Sequence, residues 1–310
     1  MIRYVYSIML LFLGLPVLAS GLNSIPPEMN QKVDSLFVIA SSGELEFRDL
    51  VQPAIDSIAA IGPQAVPRLI EKYDTQDARE RLTINNILVK IGKAAVPLLV
   101  DALKLENPEQ VSRICSTLGE IKDSAAVIPL TGMIDHNDWR VRSEAVGAIG
   151  RIGDLRGNQA VMNLLLDTVE IVRKSAAVSS GQLVIREAIP NLVHMLGDDF
   201  YGARFCASEA LVKFGFDAIP VIADSLNTKD TLLGNLGCTT LGMIGGDSAI
   251  TVLVTQLKSG VSMRRALAVE AIINCSDPLA CSYIEEMVPS ESDPIVLFYV
   301  HKFFQKYAAE

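Results

Sequence analysis

The residue types best suited to chemistry are scattered along this chain. His136, His194 and His301 lie far apart, and no two of them have the spacing of metal ligands. The sequence contains neither a phosphate-binding Walker loop nor a GxSxG nucleophile elbow. We therefore predict no catalytic residue, no metal site and no bound cofactor.

Cysteines are the other reactive side chains. They are Cys115, Cys206, Cys238, Cys275 and Cys281. Because their number is odd, they cannot all pair within one chain, and four of them fall in apolar helical patterns, where cysteine acts as a small hydrophobe. Two hypotheses stay open, namely buried free thiols throughout and a Cys275–Cys281 bridge across a helix–turn–helix.

Composition and charge exclude two classes of protein. Of the 310 residues, 50% are hydrophobic and 20% are charged, which indicates a large buried core and not a disordered chain. Lys and Arg number 27 against 36 Asp and Glu, so the net charge is −9. No basic block interrupts this acidic chain, and we predict that it does not bind nucleic acid.

Residues 1–19 have the pattern of a cleaved signal peptide. Arg3 supplies a positive start, an apolar run follows, and Val17 and Ala19 stand at the positions that signal peptidase prefers. Cleavage after Gly21 is the alternative. The apolar run is short and interrupted, which argues against a membrane anchor. We therefore expect an exported protein, periplasmic or extracellular, with no membrane span in the mature chain.

An internal repeat is the strongest signal in the chain. Its anchor is an Ile-Gly pair, or a degraded copy of it, that recurs every 30 or 31 residues. The second residues of these pairs are Gly62, Gly92, Lys122, Gly153, Val184, Gly215, Gly245 and Cys275. Apolar residues before each anchor follow the spacing of one helix face, and triplets such as Ala-Val-Pro start a second helix after it. Each copy is predicted to form two helices, with a left-handed residue at the anchor.

This repeat predicts the organisation of the whole chain. We expect an all-α protein, an α-solenoid of about eight two-helix repeats, because such short units bury their apolar faces only by stacking. The expected divisions are the signal peptide at 1–19, an N-terminal capping region at 20–43, the repeats at 44–290 and a C-terminal capping helix at 291–310. Pro53 should kink or split the first helix of the first repeat.

One polar position also recurs, eleven residues before the anchor. Its arginines are Arg81, Arg142, Arg173, Arg204 and Arg264. We predict a structural ladder in which these arginines pair with carboxylates of neighbouring turns. The carboxylates considered for it are Asp138, Glu144, Glu170 and Glu209. A stripe of arginines that binds a partner is the alternative.

The period, the anchor, the Ala-Val-Pro start and the segment from Asp138 to Ala145 resemble HEAT-like repeats, in the short form also found in phycobilisome lyases. The resemblance covers about residues 44–290 and implies a fold without implying a function. HEAT-type hydroxylases carry paired His-Glu motifs that bind iron, whereas Asn137, Met195 and Lys302 follow the three histidines here. Phycobilin lyases work inside the cell, whereas this chain is expected to be exported, so lyase chemistry is less favoured.

Contact surfaces remain as the candidate sites. Trp139 and Tyr201 stand in equivalent turns two units apart, and exposed aromatic residues are enriched in binding hot spots. The predicted second helices add further polar candidates for partner contact, namely Arg68, Lys72, Lys104 and His194. Local packing is the alternative for the two aromatic residues, and an ordinary solvated surface is the alternative for the polar ones.

These observations predict a non-catalytic exported α-solenoid scaffold, not an enzyme, that binds another protein or peptide through its extended surface. One alternative is an accessory or catalytic subunit of a lyase-like modifying enzyme, which converging ionisable residues would favour. A glycan-binding element of the cell envelope is another alternative, and it would need more aromatic residues on one face.

Overall fold

A computed structural model describes the backbone of residues 27–275 and 280–307, and the side chains of 27–275 and 282–305. Within these ranges every regular element is a helix, in agreement with the all-α prediction. Helix α1 (Pro27–Ala40) precedes an alternation of longer helices, called first helices, and shorter ones, called second helices. The first helices are α2 (Val51–Ile61), α4 (Ala78–Ile91), α6 (Pro108–Ile121), α8 (Trp139–Ile152), α10 (Glu170–Leu183), α12 (Tyr201–Phe214), α14 (Thr231–Ile244) and α16 (Ser262–Asn274). The second helices are α3 (Val66–Lys72), α5 (Val96–Asp101), α7 (Val127–Thr131), α9 (Asn158–Leu164), α11 (Ile189–His194), α13 (Ile219–Ser225), α15 (Gly246–Gln256) and α17 (Ala280–Met287). Helix α18 (Pro294–Tyr307) follows α17.

Packing between helices follows chain order. Each first helix lies against the next one, α1 packs on α2, and α18 packs on α16. Buried apolar side chains form one continuous core from Val33 to Phe303. No single helix pair encloses this core, so the stability of the solenoid is shared among neighbouring interfaces.

The closeness of neighbouring first helices depends on the residue two positions before the helix end. Glycine occupies this position in α6, α8, α10 and α14, as Gly119, Gly150, Gly181 and Gly242. A β-carbon on Gly119 would lie 2.7 Å from the Cα of Ala148, so only glycine allows this approach. Val89 and Val212 stand there in α4 and α12, and these helices pack less closely on α6 and α14.

The anchor residues from Gly62 to Gly245 all have positive φ, but not one common conformation. Lys122, Gly153 and Val184 are left-handed helical, as predicted. The αL prediction is wrong for the remaining glycines, Gly62, Gly92, Gly215 and Gly245, whose ψ values are −145°, −140°, −130° and −172°. A short 3-10 helix begins directly at Gly62, Gly92 and Gly215, and α15 begins one residue after Gly245. The chain must therefore turn at once, through a region that glycine enters readily.

The first repeat shows the effect expected of proline. Pro53 is the third residue of α2, where the missing N–H has no helical partner to lose. The preceding segment Leu45–Phe47 forms a separate short 3-10 helix. The helical segment is therefore split before Pro53.

Several sequence predictions concern residues beyond the described ranges. The predicted signal peptide at 1–19 lies outside them, and so does the side chain of Cys281. Cys115, Cys206 and Cys238 are buried, and burial raises the pKa of both Cys115 and Cys238 to about 12. Among the described helices, none is both long and apolar enough to span a bilayer.

Candidate functional site

The turns before α4, α8, α10, α12, α14, α16 and α18 share one hydrogen bond. In each of them, the side chain of the residue three positions before the helix accepts a hydrogen bond from a backbone N–H. The donor is the residue that lies two positions after the acceptor. The accepting residues are Thr75, His136, Asp167, Asp198, Thr228, Ser259 and, before α18, Glu291. The residue type varies because any short acceptor can close such a turn. We call this the turn position.

Several first helices have an arginine as their fourth residue, and we call these arginines the arginine row. In α8, α10, α12 and α16 the Nη1 of this arginine donates to the backbone oxygen of the turn position just before the same helix. The donors are Arg142 (2.9 Å), Arg173 (2.8 Å), Arg204 (2.6 Å) and Arg265 (2.7 Å). Arg81 in α4 donates instead to the oxygen of Gln76, at 2.6 Å. Each of these arginines thus ties its helix to its own entry turn.

Three of these arginines also reach forward to the next turn position. Arg142 holds the Asp167 carboxylate by two hydrogen bonds of 2.7 and 2.9 Å, and Arg173 holds Asp198 by two of 2.6 and 2.9 Å. Arg265 pairs in the same way with Glu291, at 2.6 and 3.0 Å. Burial is the strongest single influence on Asp198 and raises its pKa. The Arg173 guanidinium and the backbone N–H of Phe200 together hold the pKa of Asp198 below its usual value.

Arg264 does not belong to this row, and its inclusion was wrong. Counting back from the anchor gave Arg264 because α16 is one residue shorter than α14. Counted from the helix start, the row contains Arg265. Arg264 is only 5% exposed and donates to the backbone oxygens of Leu226 at 2.7 Å and Asp230 at 3.3 Å.

The carboxylates of the row also differ from those expected. Asp138 pairs with Arg140 and Glu144 lies 3.6 Å from Arg151, outside the row. The pairing partners Asp167, Asp198 and Glu291 were missed. The signal for two of them was readable, because Asp167 follows Arg142 and Asp198 follows Arg173 at the same spacing in the sequence.

Two arginines of the row have no carboxylate partner among the described residues. The turn position that Arg81 faces in the next repeat is Leu105, and the one that Arg204 faces is Thr228. Neither side chain carries a negative charge, so neither can form an ion pair with the arginine. Only Nη1 of each guanidinium is hydrogen-bonded in the described part of the chain, to backbone oxygen. The Nε–Nη2 edge that binds carboxylate in Arg142 and Arg173 is open in both.

Arg81 lies in a groove of about 550 Å³ across the starts of α4, α6 and α8. We call this the edge groove. Its charged and aromatic lining consists of Arg81, Glu109, Arg113, Trp139, Arg140 and Glu144. Sequence analysis named three of these residues, Trp139 as a contact, Arg81 as a ladder member and Glu144 as a carboxylate considered for the ladder.

Charges in the edge groove are partly compensated. Arg113 pairs with Glu109, and Arg140 pairs with Asp138 at 2.6 Å. A hydrogen bond from Gln76, followed by the nearby arginines, lowers the pKa of Glu109 below its usual value, so this carboxylate stays ionised. The guanidinium of Arg81 is the cation of the groove with an open edge, in a chain of net charge −9. This arrangement can bind a carboxylate, and Trp139, which is 41% exposed, offers a flat surface beside it.

Comparison with known proteins bears on this repeated architecture. Residues 96–181 match the family model of HEAT repeats. The chain therefore contains HEAT-like repeats. The matched segment runs from α5 to α10 and includes most of the edge groove.

A curated relative of this HEAT-like repeat protein is an enzyme subunit. A stretch of 120 residues is 29% identical to the phycocyanobilin lyase subunit beta of Pseudanabaena tenuis. The stretch covers 37% of this chain and 42% of that subunit, so less than half of the relative's length is matched.

Solved structures support the solenoid fold. Kap121p bound to Nup53p matches 89% of this chain over 37% of its own, with 15% identity and a TM-score of 0.58. The complex of CpcE and CpcF of phycocyanin lyase from Nostoc matches 72% of this chain and 93% of its own, with 17% identity. Its TM-score is 0.40, so the support for the fold comes from Kap121p.

The similarity to a lyase subunit contradicts two predictions, the non-catalytic scaffold and the statement that the chain is not an enzyme. The physical reason lies in the fold. HEAT-like repeats serve binding proteins and enzyme subunits alike, so the lack of a familiar catalytic motif could not decide between them.

Two of the residues that were expected to contact a partner form ion pairs within the chain. Arg68 and Lys72 of α3 both bind the Asp34 carboxylate of α1, each at 2.8 Å. The Lys72 ammonium also lies 5.0 Å from the centre of the Phe37 ring. These cations fasten α1 to the first repeat, which makes them poor candidates for a free contact surface.

The remaining predicted contact residues lie on the surface. Lys104 is exposed, with its Nζ 3.8 Å from Asp101, and His194 is exposed at the end of α11. Trp139 is the first residue of α8 and Tyr201 the first of α12, and both are exposed. The structure thus places Trp139 in the edge groove and Tyr201 beside Arg204, next to the two open guanidinium edges.

Proposed function

We propose that this chain is an accessory or catalytic subunit of a lyase-like modifying enzyme, and that the edge groove holds the ligand of that enzyme. The observation that carries the proposal is the open guanidinium edge of Arg81 beside the exposed indole of Trp139 in one groove. The similarity to a phycocyanobilin lyase subunit supports the enzyme class.

The chemistry of the groove defines the ligand. A guanidinium with a free Nε–Nη2 edge binds a carboxylate through two parallel hydrogen bonds. An exposed indole packs against a flat conjugated body. The ligand should therefore combine a planar apolar part with a carboxylate, and phycocyanobilin, a conjugated molecule with propionate groups, has both.

Trp139 makes this proposal directly testable, because it is the only tryptophan in the chain. Phycocyanobilin is titrated into the purified protein while tryptophan emission is recorded. We expect saturable quenching, because a ligand in the edge groove absorbs beside the indole. Arg81→Ala should weaken binding at least about tenfold, the typical loss for a charge-assisted hydrogen-bond pair.

A second variant fills the open edge from within the chain. Leu105→Asp places a carboxylate at the turn position that Arg81 faces, as Asp167 does for Arg142. We expect it to weaken phycocyanobilin binding while raising thermal stability. Thr228→Asp makes the same change opposite Arg204 and should leave quenching unaltered. Unsaturable quenching, or equal affinity in Arg81→Ala, would contradict the proposed groove.

The role as an enzyme subunit needs a test of its own. The protein is captured from its own cells, the bound proteins are incubated with phycocyanobilin, and their masses are compared before and after. A mass increase of one bilin on a captured protein supports a lyase-like subunit. Unchanged masses of all captured proteins, with the groove binding bilin, would limit the chain to ligand binding.

Export and repeat boundaries complete the proposal. We propose that residues 1–19 are removed on export to the periplasm or medium, that 20–43 and 291–310 cap the ends, and that about eight HEAT-like repeats fill 44–290. Support for export comes from the sequence pattern alone. Edman sequencing of the protein from the envelope fraction should start at Ser20, and a chain that starts at Met1 would refute cleavage.

A further inference from the structure

The second open edge lies far along the solenoid, on α12. Arg204 occupies the same helix position as Arg142 and Arg173 and donates its Nη1 to the backbone oxygens of Asp198 and Asp199, at 2.6 and 3.1 Å. Its Nε and Nη2 have no hydrogen-bond partner in the described part of the chain. The nearby Asp198 carboxylate is already held by Arg173.

The missing partner results from one turn position. Thr228 stands where Asp167 and Asp198 stand in the preceding turns, and its hydroxyl still closes the turn by accepting the N–H of Asp230, at 3.0 Å. The turn is therefore intact, and only the carboxylate is absent. The following residue, Lys229, is exposed, and its charge is balanced by that of Asp230, which comes next.

Aromatic side chains surround the open guanidinium. Tyr201 and Phe205 stack with ring centroids 6.3 Å apart, and they are 68% and 49% exposed. The guanidinium carbon of Arg204 lies 5.6 Å from the centre of the Tyr201 ring. Exposed aromatic residues beside an arginine are the composition of a protein-binding hot spot.

We propose that Arg204, Tyr201 and Phe205 form a docking site for an acidic segment of a partner protein. An aspartate or glutamate of that segment occupies the Nε–Nη2 edge of Arg204 in place of the missing carboxylate. An apolar side chain next to it covers the Tyr201–Phe205 stack. Charge complementarity selects this occupant, because the open Nε–Nη2 edge of Arg204 is cationic and matches a carboxylate in shape. The site is distinct from the edge groove and does not depend on lyase-like activity.

The test uses two labelled synthetic peptides and the purified full chain. One short peptide alternates aspartate with phenylalanine, and the matched peptide carries asparagine for each aspartate. We expect saturable binding of the aspartate peptide by fluorescence anisotropy, and at least about tenfold weaker binding of the asparagine peptide, because a neutral amide cannot form the ion pair. In spectra of arginine side chains, the Nε–H signal of Arg204 should shift on binding, whereas that of Arg173, already paired, should stay in place.

Variants distinguish this site from general attraction. Thr228→Asp supplies the carboxylate from within the chain and should weaken peptide binding as much as Arg204→Ala does. Leu105→Asp adds the same charge opposite Arg81, and the shift of the Arg204 Nε–H signal on peptide binding should stay as in the wild type. If Thr228→Asp fails to fold, Arg204→Lys takes its place, since lysine keeps the charge but loses the planar edge.

Four results would overturn the proposal. The first is equal binding of both peptides, and the second is undiminished binding by folded Thr228→Asp. The third is full competition by inorganic phosphate at the concentration of the peptide, which would indicate a general anion site. The fourth is absence of peptide binding together with self-association that Tyr201→Ala abolishes, which would assign the surface to a second copy of this chain.

Discussion

The guanidinium of Arg264 lies against Gly234 of the neighbouring helix, in the space that a side chain at 234 would need. A β-carbon on Gly234 would stand 2.0 Å from Nη2 and 2.3 Å from Cζ of Arg264. Gly234 is the fourth residue of α14, where other first helices carry the row arginine. Arg264 reaches back from α16 to the oxygens of Leu226 and Asp230 and so replaces the missing arginine.

Gly234→Ala should therefore destabilise the protein. The methyl group would displace a buried guanidinium from its backbone acceptors, and overpacking of this kind costs about 1–3 kcal/mol. Urea denaturation followed by circular dichroism measures the free energy of unfolding. Gly260→Ala is the matched control, because no atom lies within 4 Å of the added methyl group. Equal stability of the two variants would refute this packing.

Removal of Arg173 should cost more than removal of Arg204. Arg173→Ala leaves the Asp198 carboxylate, whose side chain is 7% exposed, without its guanidinium, and loss of one partner of such a buried pair costs about 3 kcal/mol. Arg204→Ala loses bonds to backbone oxygen and the contact with the exposed Tyr201 ring, but it strands no buried carboxylate, so its cost should be about 1 kcal/mol. Thermal unfolding of both variants tests this order. Adding Asp198→Asn to Arg173→Ala should recover part of the loss.

Val184→Gly should stabilise the protein. Val184 is a β-branched residue in the left-handed region, with φ 54° and ψ 49°, and its side chain is exposed. Glycine removes this strain but gains freedom in the unfolded chain, so we expect a net gain of about 0.5–1 kcal/mol in the free energy of unfolding. Gly153→Val, at an equivalent left-handed anchor, should lower stability. A destabilised Val184→Gly would show that the anchor is not strained.

Attachment of α1 should weaken in acid. The Arg68 hydrogen bonds, helped by Lys72, hold the pKa of Asp34 at about 2, below its ordinary 3.8. A lowered folded-state pKa means that the stabilisation is complete above the unfolded value and is lost as pH falls from about 4 to about 2. The protection factors of the α1 amides, which are hydrogen-exchange rates corrected for the intrinsic rate at each pH, should therefore fall over this range in the wild type.

Asp34→Asn separates this effect from general acid unfolding. The variant should already exchange rapidly at pH 6, and its difference from the wild type should disappear near pH 2. A difference that stays constant between these pH values would show that Asp34 does not fasten α1 through its charge.

The fold was largely predictable because each repeat states the same pattern again. The Ile-Gly anchor and the helical spacing predict the helices well, and Pro53 predicts the split before α2. The αL assignment was wrong at four glycines because ψ depends on how soon the next helix starts. Arg264 was mistaken for Arg265 because the count began at an anchor that follows a shortened helix.

The candidate site was far less predictable. Arg113 and Glu109 are unremarkable in the sequence and become neighbours of Arg81 and Trp139 only when α4, α6 and α8 stack. The open edges of Arg81 and Arg204 are visible only by comparison with the closed pairs of Arg142 and Arg173. The enzyme-subunit similarity is carried by a long, diffuse match and not by a short catalytic motif.

The valines at the ends of α4 and α12 have a mechanical consequence. Between them, α6, α8, α10 and α12 are held at glycine contact distance and should behave as one stiff rod. The looser steps, from α4 to α6 at Val89 and from α12 to α14 at Val212, are where the superhelix can flex. Between α4 and α14, thermal bending should concentrate at these two joints. The edge groove spans the first joint, and the Arg204 docking surface borders the second. A ligand bound at either place would therefore reduce the bending between the helices there.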